Sequence, residues 1–148
     1  MSSKERSKLS YILGLEKNSV IAVTGGGGKT TTIYTLAREV ADEGWSVLIT
    51  TTTAMLHPDL ENRDYNQLFI NNNGPLSDLE KKWGSGITVA ARIFDYKTGK
   101  TLGFDPETIN RLSAASIYDL ILVEADGAKN RPIKAPADHE PVIPGSTD

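Results

Sequence analysis

Four consecutive glycines, Gly25 to Gly28, stand between an aliphatic run, Val20-Ile21-Ala22-Val23, and a helix-periodic segment that begins at Lys29. A bounded aliphatic run with β-branched residues suits a strand buried on both faces. Beyond Lys29, the residues Ile33, Leu36, Ala37, Val40 and Ala41 fall at i, i+3, i+4, i+7 and i+8, and Gly44 stands where a helix would be capped. Val47-Leu48-Ile49-Thr50 reads as a second buried strand. Residues 20–50 are therefore a strand–helix–strand unit, which crosses over right-handedly and implies a parallel sheet. Leu120-Ile121-Leu122-Val123 is a third run of the same kind. Together they predict an α/β domain of three layers with a mainly parallel sheet.

The remaining segments are less periodic. Leu9, Ile12 and Leu13 predict a short helix within Ser3 to Leu15 that stops at Gly14. Gln67 to Ile70 reads as a short strand before the turn Asn71-Asn72-Asn73-Gly74-Pro75, and Ser77 to Trp83 as a short helix with Ser77 as its cap and Glu80 three residues on. Ile87 to Ile93 reads as one strand, Lys97-Thr98-Gly99-Lys100 as a turn into Thr101 to Phe104, and Pro106 opens a helix through Ala115. After Glu124 the four prolines Pro132, Pro136, Pro141 and Pro144 predict an irregular segment to Asp148. Trp45 and Trp83 read as packing residues, and His57, before Pro58, as a turn residue.

The 148 residues suit a single domain over 1–148, and its close on an irregular stretch leads us to expect that a longer protein is truncated there at the C-terminal end. With 16 Lys and Arg against 19 Asp and Glu, the formal charge of −3 gives no whole-domain attraction to nucleic acid or anionic lipid. No cysteine is present, which excludes disulfides and thiolate metal sites in this chain. The longest aliphatic runs are far too short to span a bilayer, so no membrane partner is expected. The first residues lack the apolar run of a secretory signal, which leaves a cytoplasmic address.

Glycines between strand and helix let backbone N–H groups approach an oligophosphate without Cβ collisions, and the helix start adds positive potential. On this reading Gly25, Gly26, Gly27 and Gly28 cradle phosphate, Lys29 reaches the β- and γ-phosphates, Thr30 offers a hydroxyl to Mg2+ and Thr31 donates to the α-phosphate. The domain is then P-loop NTPase-like. The standard G-x-x-x-x-G-K-S/T pattern is incomplete, because its first glycine would fall on Val23, and the loop is a shorter G-x-x-G-K-T. That form resembles the T-G-x-x-G-K-T-T loop of Mur ligases at Thr24, Gly25, Gly28, Lys29, Thr30 and Thr31. It also resembles the loop of the partition and septum-positioning ATPases, except that Thr24 stands where those carry a lysine.

In open parallel sheets ligands lie at the carboxyl ends of strands. Two such ends are loaded with chemistry: Thr50-Thr51-Thr52-Thr53 after the second strand, and Glu124-Ala125-Asp126-Gly127 after the third. Glu124 is the candidate to orient or deprotonate an attacking water and Asp126 the candidate to hold Mg2+. Thr52 is a candidate phosphate or substrate contact, although β-propensity alone accounts for threonines at a strand end. Lys129, Arg131 and Lys134 could neutralise phosphate or an anionic substrate, and Asp138, His139 and Glu140 could meet metal or substrate; solvated or stapling roles compete with each.

Ile21 to Thr32, Val47 to Thr53, and above all Leu122-Val123-Glu124-Ala125-Asp126-Gly127-Ala128-Lys129 with Arg131-Pro132, Lys134-Ala135-Pro136 and His139-Glu140-Pro141-Val142-Ile143-Pro144 resemble the YqeC-type accessory proteins of selenium-dependent hydroxylases. The resemblance implies a role beside maturation of a molybdenum enzyme, with that enzyme or its maturation proteins as partners. The residues themselves reach only a Mg-nucleotide-binding α/β domain. Hydrolysis of the triphosphate, phosphoryl transfer by a Mur-like ligase or small-molecule kinase, and a non-catalytic nucleotide-sensing module all stay open. No Asn-Lys-x-Asp segment for guanine selection is present, so ATP is preferred and GTP remains open.

Overall fold

A computed structural model describes residues 8–72, 74–81, 84–125 and 144–147. In chain order they form α1 (Leu9–Ile12), β1 (Ser19–Val23), α2 (Lys29–Ala41), β2 (Ser46–Thr51), β3 (Ala54–Leu56), a 3₁₀ turn (Pro58–Glu61) and β4 (Gln67–Ile70). A second 3₁₀ turn (Leu76–Asp78), β5 (Gly86–Ala91), β6 (Ile93–Asp95), β7 (Lys100–Leu102), α3 (Pro106–Ala114) and β8 (Leu120–Glu124) follow.

Five strands make a wholly parallel sheet in the order β1-β8-β2-β5-β4. The aliphatic runs lie at its centre because both of its faces are covered. On one face Val47, Ile49, Leu120 and Leu122 pack with Ile33, Leu36, Ala37 and Val40 of α2. On the other Val20, Leu48, Ile121 and Val123 pack with Ile109 and Leu112 of α3. Successive residues of one strand thus serve opposite layers, which is why these strands show no polar alternation. Complete burial of a side chain of this size contributes about 1.5–3 kcal/mol.

Local chemistry sets the helix bounds. The Asp105 carboxylate accepts from Thr108 N at 2.7 Å at the start of α3, with Pro106 in its first turn. Gly14 takes φ +61° after α1, whose Leu9 and Ser10 N–H groups donate to the Glu39 carboxylate at 3.2 and 2.9 Å. Residues 1–7, the front of the helix expected from Ser3, lie outside the described residues.

Three expectations change. Ser77 to Trp83 is not a Ser77-capped helix in its described part: Ser77 lies inside a 3₁₀ turn preceded by Pro75. The Glu80 carboxylate accepts from Arg111 Nη2 of α3 at 2.8 Å and so serves the tertiary contact rather than a capping box. Residues 82 and 83, including Trp83, lie outside the described residues. The strand expected over Ile87 to Ile93 breaks at Arg92, whose N–H donates to Leu102 O at 2.8 Å. β6 leaves the parallel sheet there and pairs antiparallel with β7, and β3, which the sequence reading missed, pairs on the other side of β7. This small three-stranded sheet grows from the carboxyl ends of β2 and β5. Among the described residues no helix is long and apolar enough to cross a membrane.

Candidate functional site

The glycine loop joins β1 to α2, as its sequence context requires. Gly25 has φ +122° and Gly28 has φ +73°, both unfavourable for a residue with a side chain, and Gly28 is the N-cap of α2. Gly26 and Gly27 complete the turn between them. Lys29, the first residue of α2, is only 5% exposed, and its Nζ donates to Gly25 O at 2.7 Å. The ammonium is therefore folded back across the glycines.

The parallel register then brings the second constellation to this loop. Glu124 pairs with Val23 of β1 on one side and Thr51 of β2 on the other. Glu124 is 6% exposed, and its carboxylate accepts from Thr30 Oγ1 at 3.1 Å. Its carbonyl accepts from Thr51 Oγ1 at 2.7 Å and Thr52 N at 3.2 Å, and Ala125 N donates to Val23 O at 3.1 Å. Two residues distant in sequence, Thr30 and Glu124, are thus brought into hydrogen-bond contact by strand neighbours that are themselves stapled.

The threonine run divides. Thr50 Oγ1 donates to Ala90 O at 2.8 Å, so Thr50 and Thr51 tie β2 to β5 and β8. Thr52 lies half-buried beside Glu124. Thr31 is directed to the flank of α2, where its hydroxyl accepts from Arg63 Nη2 at 3.3 Å. Arg63 also sits 5.3 Å from the ring centroid of Tyr34 and 3.7 Å from Glu61. Burial, then the Glu61 carboxylate, push the Tyr34 hydroxyl well above the usual tyrosine range. No sequence signal marked Arg63 or Tyr34: Arg63 lies in a polar, aperiodic segment, and Tyr34 is one more residue of an amphipathic helix.

Asp126, Lys129, Arg131, Lys134, Asp138, His139 and Glu140 lie outside the described residues. His57 accepts from Asp59 N at 3.3 Å and meets the Phe94 ring edge-on at 5.0 Å, as a turn residue would. Trp45 packs against the core on the α2 face, with Lys17 5.7 Å over its ring. Among the described residues no three His, Asp or Glu side chains gather as a metal centre.

A family model described as YqeC protein matches residues 21–148. Over 142 residues the chain is 38% identical to the uncharacterized protein YqeC of Escherichia coli (strain K12), covering 95% of this chain and 54% of that one. The chain thus spans about half the length of that relative. No solved structure matches the chain significantly.

Proposed function

The chain belongs to the YqeC family, and we propose that on a P-loop NTPase-like fold it binds a nucleoside triphosphate, ATP before GTP, with Mg2+ and hydrolyses it. The observation that carries this reading is the 3.1 Å contact of Thr30 with Glu124 beside a glycine loop that Lys29 closes. Backbone N–H groups of Gly25 to Gly28 would take the phosphate oxygens. Lys29 would exchange the Gly25 carbonyl for the β- and γ-phosphates, and Thr31 would meet the α-phosphate.

The fit to Mg2+ rests on donor chemistry. A hydroxyl and a carboxylate are hard oxygen donors, and a cation held by few protein ligands completes its shell with phosphate and water. When bound, the ion would neutralise charge on the β- and γ-oxygens. Glu124, which touches Thr30, is then suited to the ion's shell as well as to taking a proton from water, and Asp126 is the second carboxylate for the pair of roles. Thr52, Lys129, Arg131 and His139 are the proposed contacts for phosphate or a further substrate. The role in maturing a selenium-dependent molybdenum hydroxylase is supported by the family resemblance alone.

The test is thermal melting with ATP, GTP and no nucleotide, each with and without Mg2+, since a ligand that binds the folded state raises its apparent stability. Mg-ATP should raise the transition of the native chain well above that of Lys29→Ala at the same nucleotide concentration. No shift with any nucleotide at millimolar concentration overturns the reading. The Mur-like match from Thr24 to Thr31 supports a ligase as the second reading. Carboxylate substrates that accelerate ADP release would favour it over simple hydrolysis.

A further inference from the structure

A groove of about 350 Å³ runs along α2 from Thr31 through Tyr34, Thr35 and Arg38, with Glu61 and Arg63 across it. Its volume falls in the range of small-molecule sites, roughly 300–1,000 Å³. Resting on the triphosphate reading above, we infer that this groove seats the nucleoside end of the ligand, with Arg63 as the residue that reads it.

Continuity is the first argument. Thr31 follows directly on Thr30 in the phosphate loop, yet its hydroxyl lines the groove and accepts from Arg63. A phosphate chain that leaves the glycines past Thr31 enters the groove beside that guanidinium. Charge is the second. The lining carries three cations, Lys8, Arg38 and Arg63, against four carboxylates, Glu39, Asp42, Glu61 and Asp64. Such a wall gives no net attraction to a separate anion, but it offers acceptors for ribose hydroxyls and donors for base edges. Arg63 itself is the third. Its Nε is fully buried and makes no hydrogen bond among the described residues, although Glu61 Oε2 lies 3.7 Å away. A planar, delocalised cation held between Thr31, Glu61 and the Tyr34 ring can stack under a base or donate to its edge.

Calorimetric titration with Mg-ATP and with Mg-tripolyphosphate, which lacks a nucleoside, tests the inference on the intact chain. Native protein should bind Mg-ATP the more tightly. Arg63→Gln should weaken Mg-ATP by about tenfold, the loss of one charge-assisted contact, and weaken tripolyphosphate far less. Thr35→Trp, which fills the groove from an exposed helix position, should give the same selective loss and decides the matter if Arg63→Gln does not melt cooperatively. Lys29→Ala should weaken both ligands. Equal affinity of the native chain for the two ligands, or an equal loss of both in the Arg63 and Thr35 variants, overturns the nucleoside subsite and leaves the phosphate loop standing. Binding of neither ligand overturns the triphosphate reading and the subsite with it.

Discussion

A Cβ built on Gly103 would overlap the main-chain carbonyl of Thr51. Phe104 N donates to Thr51 O at 3.1 Å, Gly103 N to Thr53 O at 2.9 Å, and Gly103 O accepts from Arg92 Nε at 3.2 Å. The turn between β7 and α3 therefore lies backbone on backbone against the end of β2. Thr51 in turn holds the Glu124 carbonyl.

Gly103→Ala should accordingly destabilise the fold by about 1–3 kcal/mol or more, the usual cost of overpacking, because the obstacle is main chain and not a side-chain tip that can swing away. The urea midpoint measures it. A midpoint equal to that of the native chain would mean that the turn and the strand end separate freely.

Lys29→Ala should reduce triphosphate affinity roughly ten- to a hundredfold, as expected for the loss of a charge-assisted contact. Because Lys29 is buried against Gly25 O, the variant should also lose stability, by about 1.5–3 kcal/mol, the usual contribution of a hydrogen bond from a charged group. Native affinity in a folded Lys29→Ala protein would remove the phosphate role from this lysine.

The layered core could be read from Val20 to Val23, Val47 to Ile49 and Leu120 to Val123 because a strand covered on both faces needs apolar residues at every position. The helix from Lys29 followed from its stripe, since α2 is covered on one side only. Strands β3, β6 and β7 span three residues each and are joined by backbone pairing that any residue can make. Such pairing leaves no period in the sequence. Arg92 could not be recognised as a strand break, because its N–H pairs with Leu102, a partner distant in sequence and in a different sheet. The loop and Glu124 were legible as strand-end chemistry, whereas their contact depends on β8 inserting between β1 and β2, a topology no local pattern encodes.

Alkaline pH should unfold the chain through its buried phenols. Burial holds Tyr34 well above the usual value and pushes Tyr118, whose hydroxyl donates to Leu79 O at 3.1 Å, up to about 12. Each pKa is higher folded than unfolded, so this stability is fully present below the free tyrosine value of about 10 and is lost as pH rises from there through the folded values. Denaturant midpoints should be flat in this respect up to that pH and fall beyond it, and Tyr118→Phe should flatten the fall. An unchanged slope in the Phe variant would show that Tyr118 ionises as readily folded as unfolded.

The contact of Thr30 with Glu124 separates the two roles a strand-end carboxylate can play. In Glu124→Gln the amide oxygen can still accept from Thr30 Oγ1, so the fold and the position of α2 should survive. What the amide lacks is charge for a cation and basicity toward water. If Glu124 serves the ion's shell, as its contact with the Thr30 hydroxyl favours, Glu124→Gln should make nucleotide affinity nearly independent of Mg2+, and Thr30→Val should do the same by removing the neighbouring oxygen. If instead it takes the proton from water, Mg-nucleotide affinity should hold while turnover falls by about a hundredfold or more, the usual contribution of a general base. Asp126→Asn should then carry the Mg2+ phenotype. Titrations of ATP at several Mg2+ concentrations, with phosphate release measured on the same preparations, distinguish these outcomes. Native affinity, native Mg2+ dependence and native turnover in Glu124→Gln together would leave the carboxylate a structural acceptor for Thr30, and the proposed catalysis would lose its centre.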